Sequence, residues 1–159
     1  STPIASSAAS DVYKRQKENK ITNRARQRNE AFNYLFDEAV DSVSGGEFYF
    51  FEYKPKFRKK LKHWDRYPLV IMGDSTSDGF YGANLHYMKP IDRINLAEKI
   101  INKEGVTIPK FIWHRYIMEK ADNLFFRIPE EDVLEMVTLP LEQFYDNRNK
   151  FVSASKVQI

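Results

Sequence analysis

The chain has 159 residues, the length of one domain, and 42% apolar with 14% aromatic residues supply enough bulk for a core, which excludes global disorder. The absence of cysteine excludes disulfides and thiolate metal sites, and the absence of an apolar run of about 18 residues excludes a transmembrane helix. The net charge of +3 hides an alternation: Lys14 to Arg28 carries seven bases and one acid, Asn29 to Tyr53 six acids and no base, and Lys54 to Arg66 seven bases and one acid.

In chain order, Ser1 to Gln16 are expected to stand apart from the fold. Asp11-Val-Tyr-Lys-Arg-Gln16 resembles an in-frame translation of a transposon-end adapter used in shotgun sequencing; the alternative is a Ser/Ala-rich disordered tail. On the adapter reading the natural N-terminus is missing, and a cut C-terminus is also allowed for. No secretory signal is visible at the start. Residues 17–159 are expected to form a single α+β domain.

Thr22 to Val43 predicts a helix, with Phe32, Leu35, Phe36, Ala39, Val40 and Val43 on one face and Gly45-Gly46 as its stop. Its bases precede its acids, the wrong order for the helix dipole. Phe48 to Tyr53 predicts an aromatic strand. Tyr67 to Gly73 predicts a second, opened by Pro68, and Phe80 to Met88 a third, in which Gly82 signals a bulge or a close backbone approach. Asp74 to Gly79 between them predicts a longer turn, with Gly79 at positive φ. Two amphipathic helices follow, Ile91 to Glu104 after Pro90 and Pro109 to about Ala121, the second with Ile112, Trp113, Tyr116 and Ile117 as its stripe. Leu124 to Ile128 predicts a fourth strand and Pro129 to Asp132 a first helical turn rich in acids. From Leu139-Pro140 a last extended or short helical segment is expected, ending near Phe151.

Together these predict an α+β fold: a small antiparallel SH3-like barrel or half-barrel with a leading helix and two inserted helices. Between its first two strands lies the densest basic cluster, Lys54, Lys56, Arg58, Lys59, Lys60, Lys62 and Arg66, with Phe57, His63 and Trp64 interleaved. Lysine and arginine neutralise phosphates and release counterions, and an aromatic ring stacks on a base or braces a loop. Lys54, Lys56, Arg58, Lys59, Lys60, Lys62, Trp64, Arg66, Arg24 and Arg28 are therefore the candidate nucleic-acid contacts. The plain alternative is a solvated loop whose lysines blunt a sheet edge.

Other chemistry is thinly signalled. Glu52-Tyr53-Lys54 matches half of an acid-x-lysine nuclease pattern in which carboxylates hold Mg²⁺, but no second carboxylate on a preceding strand completes it. Asp65, Asp74 and Asp78 with His63 and His86 show no metal-ligand spacing, so neither metal nor cofactor is expected. Trp113 and Tyr116 read as core.

Tyr53-x-Pro55-Lys56, then Trp64-Asp65-Arg66-Tyr67-Pro68-Leu69-Val70, then Gly79-Phe80-Tyr81-Gly82-Ala83-Asn84-Leu85-His86-Tyr87 resembles a family of small proteins from T-even-like tailed phages, the myoviruses. Ile128-Pro129 with its following acids, Leu139-Pro140, Phe144 and Ala154-Ser155-Lys156 look similar too, so the resemblance runs from about Phe48 to the end. Leu85-His86-Tyr87 is its most specific part. The resemblance implies a virion-associated or DNA-packaging protein of the DNA end protector type, and it carries over no catalytic residue. The expectation is a non-enzymatic virion or head-completion component that contacts DNA through the basic loop. Its partners would be DNA and other phage structural proteins, and no membrane. Its place would be the virion, and the host cytoplasm during assembly. The alternatives are a protein–protein adaptor of the neck or baseplate using the aromatic sheet face, and a Mg²⁺-dependent nuclease using Glu52 and Lys54.

Overall fold

The aromatic run at Phe48 sits in the middle of a six-stranded antiparallel sheet whose order is β1-β7-β2-β4-β5-β6. The computed structural model of the chain describes residues 24–117 and 124–159. The large sheet comprises β1 (Ala39–Val40), β2 (Phe48–Phe50), β4 (Leu69–Thr76), β5 (Gly79–Asn84), β6 (Trp113–Ile117) and β7 (Phe125–Arg127). A second sheet has the order β3-β8-β9, from β3 (His63–Asp65), β8 (Phe144–Asp146) and β9 (Phe151–Val152). Three helices accompany them among the described residues: α1 (Arg24–Tyr34), α2 (Pro90–Ile101) and the single turn α3 (Val133–Met136).

Both faces of the large sheet are buried, which explains an uninterrupted apolar run where a half-exposed strand would alternate. Phe48, Phe50, Leu69, Ile71 and Ala83 point to one side, where Ala31 and Leu35 of α1, Leu96 and Ala97 of α2, and Val133 and Met136 of α3 complete the core. Tyr49, Phe51, Val70, Met72, Phe80, Tyr116 and Phe125 point to the other side and pack against one another. In a flat sheet β2 and β6, three places apart, would be separated by about 14 Å. The Phe51 and Tyr116 ring centroids are 5.6 Å apart, and those of Phe80 and Phe125 5.8 Å. The sheet curls around its aromatic face.

The α+β class stands. The described pairings form no closed barrel, since β1 and β6 are the two ends of the sheet order. Of the two inserted helices only α2 is one. Lys110–Ile112 is a 3-10 turn, and Trp113–Ile117 is strand β6, paired with β5 from Gly79↔Ile117 to Ala83↔Trp113. Ile112, Trp113, Tyr116 and Ile117 satisfy helical spacing by coincidence; their β-branched and aromatic side chains suit a strand, and His114 and Tyr116 share its aromatic face. The rest of that predicted helix lies outside the described residues, as does Thr22, the expected start of the leading helix.

The leading helix also stops early. After Tyr34 the chain takes a 3-10 turn, Phe36–Glu38, and then pairs Ala39 and Val40 with Phe126 and Phe125. Acids at a helix C-terminus oppose the dipole, and a β-branched valine finds a better place in the sheet. Phe36, expected on the buried stripe, is left 71% exposed. The β4–β5 hairpin is tighter than expected, since Thr76 pairs with Gly79 and leaves only Ser77 and Asp78 as the turn. The register shift lies between Met72 and Ser75, on the strand opposite Gly82. Gly79 has no positive φ; a Cβ there would collide with the Tyr116 carbonyl oxygen, so the close approach of β6 demands the glycine. The segment expected after Leu139 is in fact the β8–β9 hairpin.

Candidate nucleic-acid interface

The basic loop leaves the large sheet at Tyr53 and returns at Arg66, where the Tyr53 N–H donates to the Arg66 carbonyl at 2.7 Å. The excursion is therefore closed at its base. At its far end Arg58–Lys60 form a 3-10 turn, held by Lys60 N–H to the Phe57 carbonyl and Leu61 N–H to the Arg58 carbonyl, both at 3.1 Å. Lys54, Lys56, Arg58, Lys59, Lys60 and Lys62 are all exposed. Among the described residues no carboxylate pairs with any of them. Phe57 is half exposed, and the Lys60 ammonium lies 5.5 Å from its ring centroid.

The other candidates are anchored. Trp64 is buried at 6% exposure, which suits the bracing role of the two that the sequence left open. Its Nε1–H donates to the Asp146 carbonyl at 3.2 Å and its ring stacks on Tyr145 at 4.8 Å. Arg66 pairs with Glu52 at 2.9 Å. Arg28 is buried over the Tyr67 ring at 4.4 Å; burial lowers its guanidinium below the usual value, against the pull of Tyr67 and Asp65. Arg24 pairs with the buried Glu142 at 3.3 Å. Tyr67 thus lies between Arg28 and Arg66, 5.5 Å from the latter, and joins the two basic segments of the sequence at one ring. The Glu52 carboxylate of the nuclease pattern is the one that pairs with Arg66, beside no second acid among the described ion pairs.

On the returning limb of the excursion, β3 pairs with β8 in the register His63↔Asp146, Trp64↔Tyr145 and Asp65↔Phe144. That pairing carries the β8–β9 turn against the loop. Arg58 and Lys59 on one side and Asn147, Arg148 and Asn149 on the other line a cleft of about 430 Å³. Asp146 holds the second wall by accepting from the N–H groups of Arg148 at 2.8 Å and Lys150 at 3.0 Å, and Asn149 takes φ 60°. Arg148 is the cationic lining residue that sequence reading missed. Its only signal is turn chemistry, the Asp146-Asn147-Arg148-Asn149 run, placed near the loop solely by strand pairing.

The motif most specific in the sequence lies elsewhere, under the loop. Leu85, His86 and Tyr87 form a buried 3-10 turn after β5. Asp65, at the end of β3, accepts from His86 Nδ1 at 2.8 Å and Asn84 Nδ2 at 3.0 Å with one oxygen, and from Tyr67 N–H and Gln143 N–H at 3.0 Å each with the other. Burial pushes its carboxyl up, but His86, Asn84 and Gln143 together outweigh burial and hold it below the usual carboxylate range. Arg93 of α2, 1% exposed, donates to the carbonyls of Met88, Val137 and His86. This network stitches the two sheets and α2 together. His63, His86 and the aspartates form no metal-binding group among the described residues: Asp78 pairs with Arg115 at 2.9 Å and Asp65 with His86. No described helix is long and apolar enough to cross a membrane.

The fold and this surface define a mixed α+β protein with an interior polar clamp and a cationic loop open to solvent. The chain belongs to the family described as the Phage T4 terminal DNA protecting protein, whose model matches residues 7–109. The match takes in the basic loop and the Leu85-His86-Tyr87 turn but ends before β6, so Arg148 lies outside it. No curated protein and no solved structure matches the chain.

Proposed function

We propose that this protein is a non-enzymatic component of a tailed phage that contacts DNA through Lys54, Lys56, Arg58, Lys59, Lys60 and Lys62, acting in the virion or during head completion in the host cytoplasm. The observation that carries the reading is the free state of that loop: six exposed cations with no described carboxylate partner, on a loop stapled at its base. Cations already neutralised by the protein gain little from phosphates, whereas these would each displace counterions on binding. The family description supports DNA as the partner. Arg66, Arg28 and Arg24 shape the surface from behind, and Trp64 braces it.

The adaptor reading needs an exposed aromatic sheet face, and here Tyr49, Phe51, Phe80, Tyr116 and Phe125 are enclosed by the curl. Other phage structural proteins remain partners that the exposed surface allows.

The test is duplex DNA binding as a function of salt. The logarithm of the association constant should fall with the logarithm of salt concentration, at a slope of roughly −0.9 for each phosphate contacted. Neutralising Arg58, Lys59, Lys60 and Lys62 together should flatten that slope by roughly two to four and leave the thermal midpoint in place. Unchanged affinity and slope in that variant would overturn the DNA reading.

A further inference from the structure

We infer that the cleft between the Arg58–Lys60 turn and the Asn147–Asn149 turn holds a terminal phosphate of a DNA strand, with Arg148 as the residue that distinguishes an end from continuous backbone. The inference rests on the DNA reading above and on the family's description as terminal DNA protecting, and adds to them a site and the residue that would read an end.

Three cations, Arg58, Lys59 and Arg148, line one cleft with the two side-chain amides of Asn147 and Asn149. A phosphodiester carries a single charge and is answered by one cation at the surface. A terminal phosphate monoester carries close to two negative charges at neutral pH and presents three strong acceptor oxygens, and guanidinium forks match that geometry. The cleft, about 430 Å³, falls within the usual range for small-ligand sites and has room for a phosphate with its sugar. Asp146, the acid of that turn, directs Oδ1 onto the N–H groups of Arg148 and Lys150, which offset part of its charge.

Both walls are fixed in place. The 3-10 turn holds one, and Asp146 holds the other by accepting from Asn149 N–H at 3.1 Å on its carbonyl as well. The β3–β8 ladder and the Trp64 hydrogen bond set the distance between them. Preorganised donors bind an anion without the entropic cost of gathering them. Phe57, next in sequence to Arg58 and 50% exposed, is the exposed ring of that loop available to the last base. Lys54, Lys56 and Lys62 lie elsewhere on the same loop, outside the cleft lining, and are left for the continuous strand.

The experiment measures affinity for one blunt duplex prepared with 5′-phosphate, 3′-phosphate or only hydroxyl ends, and for closed circular DNA. One phosphorylated form should bind about tenfold more tightly than the hydroxyl form, the worth of one charge-assisted contact. Arg148→Ala should erase that preference and leave circular DNA binding and its salt slope as they were. Lys59→Ala, on the opposite wall, should weaken the preference without touching the Asp146 turn, and Arg148→Lys should restore part of it. Equal affinity for all three duplexes, or a preference that survives Arg148→Ala, overturns the inference. So does a loss on circular DNA as large as the loss on ends, which would assign the cleft to internal phosphates. If no form of DNA binds at all, the proposed function itself falls; binding without end preference removes only the present inference.

Discussion

The Lys54–Lys62 loop and the Leu85-His86-Tyr87 corner are built on opposite principles. In the loop the charges face water and meet no described carboxylate, and only its base, its 3-10 turn and Trp64 tie it down. In the corner each described polar group of Asp65 and the Arg93 guanidinium has assigned protein partners, and His86 and Arg93 are 0% and 1% exposed. A buried charge that loses its partner is severely penalised, so such a cluster fixes residue identity tightly. An exposed cation is replaceable by another. The most distinctive motif of this sequence is thus architectural, and its best candidate for function is the part chemistry constrains least.

The strongest way to break that contrast is to remove Asp65. Asp65→Ala leaves Asn84, His86 and two backbone N–H groups facing an empty place, and unfolding in urea should show a loss of about 3–5 kcal/mol. DNA binding measured well below the lowered transition should persist. A variant of normal stability that no longer bound DNA would place Asp65 in the interface and collapse the distinction between the two regions.

A smaller effect is expected at the residue joining them. Trp64→Phe keeps a ring against Tyr145 and loses the hydrogen bond to the Asp146 carbonyl, at a cost of about 1–2 kcal/mol. Because that bond ties the loop to the Arg148 turn, preference for phosphorylated ends should fall several-fold while affinity for circular DNA holds. Loss of circular DNA binding equal to that in the loop variant would mean that Trp64 itself touches DNA.

How far the sequence carried this picture differs between the same two regions. The loop, its exposure and its flanking strands followed from composition and from the turn and proline signals around it. The two hairpin strands were readable from apolar runs bounded by turn signals, and the helix after Pro90 from its proline start, but Leu85–Tyr87, expected as the end of the third strand, is a 3-10 turn, and the helix expected to reach Glu104 ends at Ile101. Trp113–Ile117 was misread because the spacing of Ile112, Trp113, Tyr116 and Ile117 suits a helix while strand pairing with β5, a long-range contact, decided the outcome. Trp64 was placed among the contacts with stacking on a base and bracing the loop both open, since nothing local reveals that Asp146, 82 residues on, accepts its N–H. Arg148 was invisible for the same reason: it joins Arg58 only once β3 has found β8. The family resemblance was drawn from Phe48 to the end, whereas the matched span, residues 7–109, stops short of the later pieces at Ile128-Pro129, Leu139-Pro140, Phe144 and Ala154-Ser155-Lys156.

The finest test sets the corner against a second buried acid. Asp132, 1% exposed, meets no cation among its described hydrogen bonds; Tyr34 OH reaches it at a long 3.5 Å. Burial first, then Glu131 and Glu135, push its carboxyl up to about 6. The sign is opposite to that of Asp65. A depressed carboxyl stabilises the fold above its unfolded value, near 4, and loses that contribution as pH falls through the folded one. A raised carboxyl stabilises below its unfolded value and loses its contribution as pH rises toward and through about 6. Asp132→Asn mimics the protonated acid at every pH. Its stability should therefore equal that of the parent near pH 4 and exceed it by about 1–2 kcal/mol at pH 8, with the gap opening between those values. Urea unfolding of both proteins at pH 4.5 and pH 8 measures the gap directly. An asparagine variant less stable than the parent at both pH values would show that Asp132, like Asp65, is held as a carboxylate by partners that the geometry does not display.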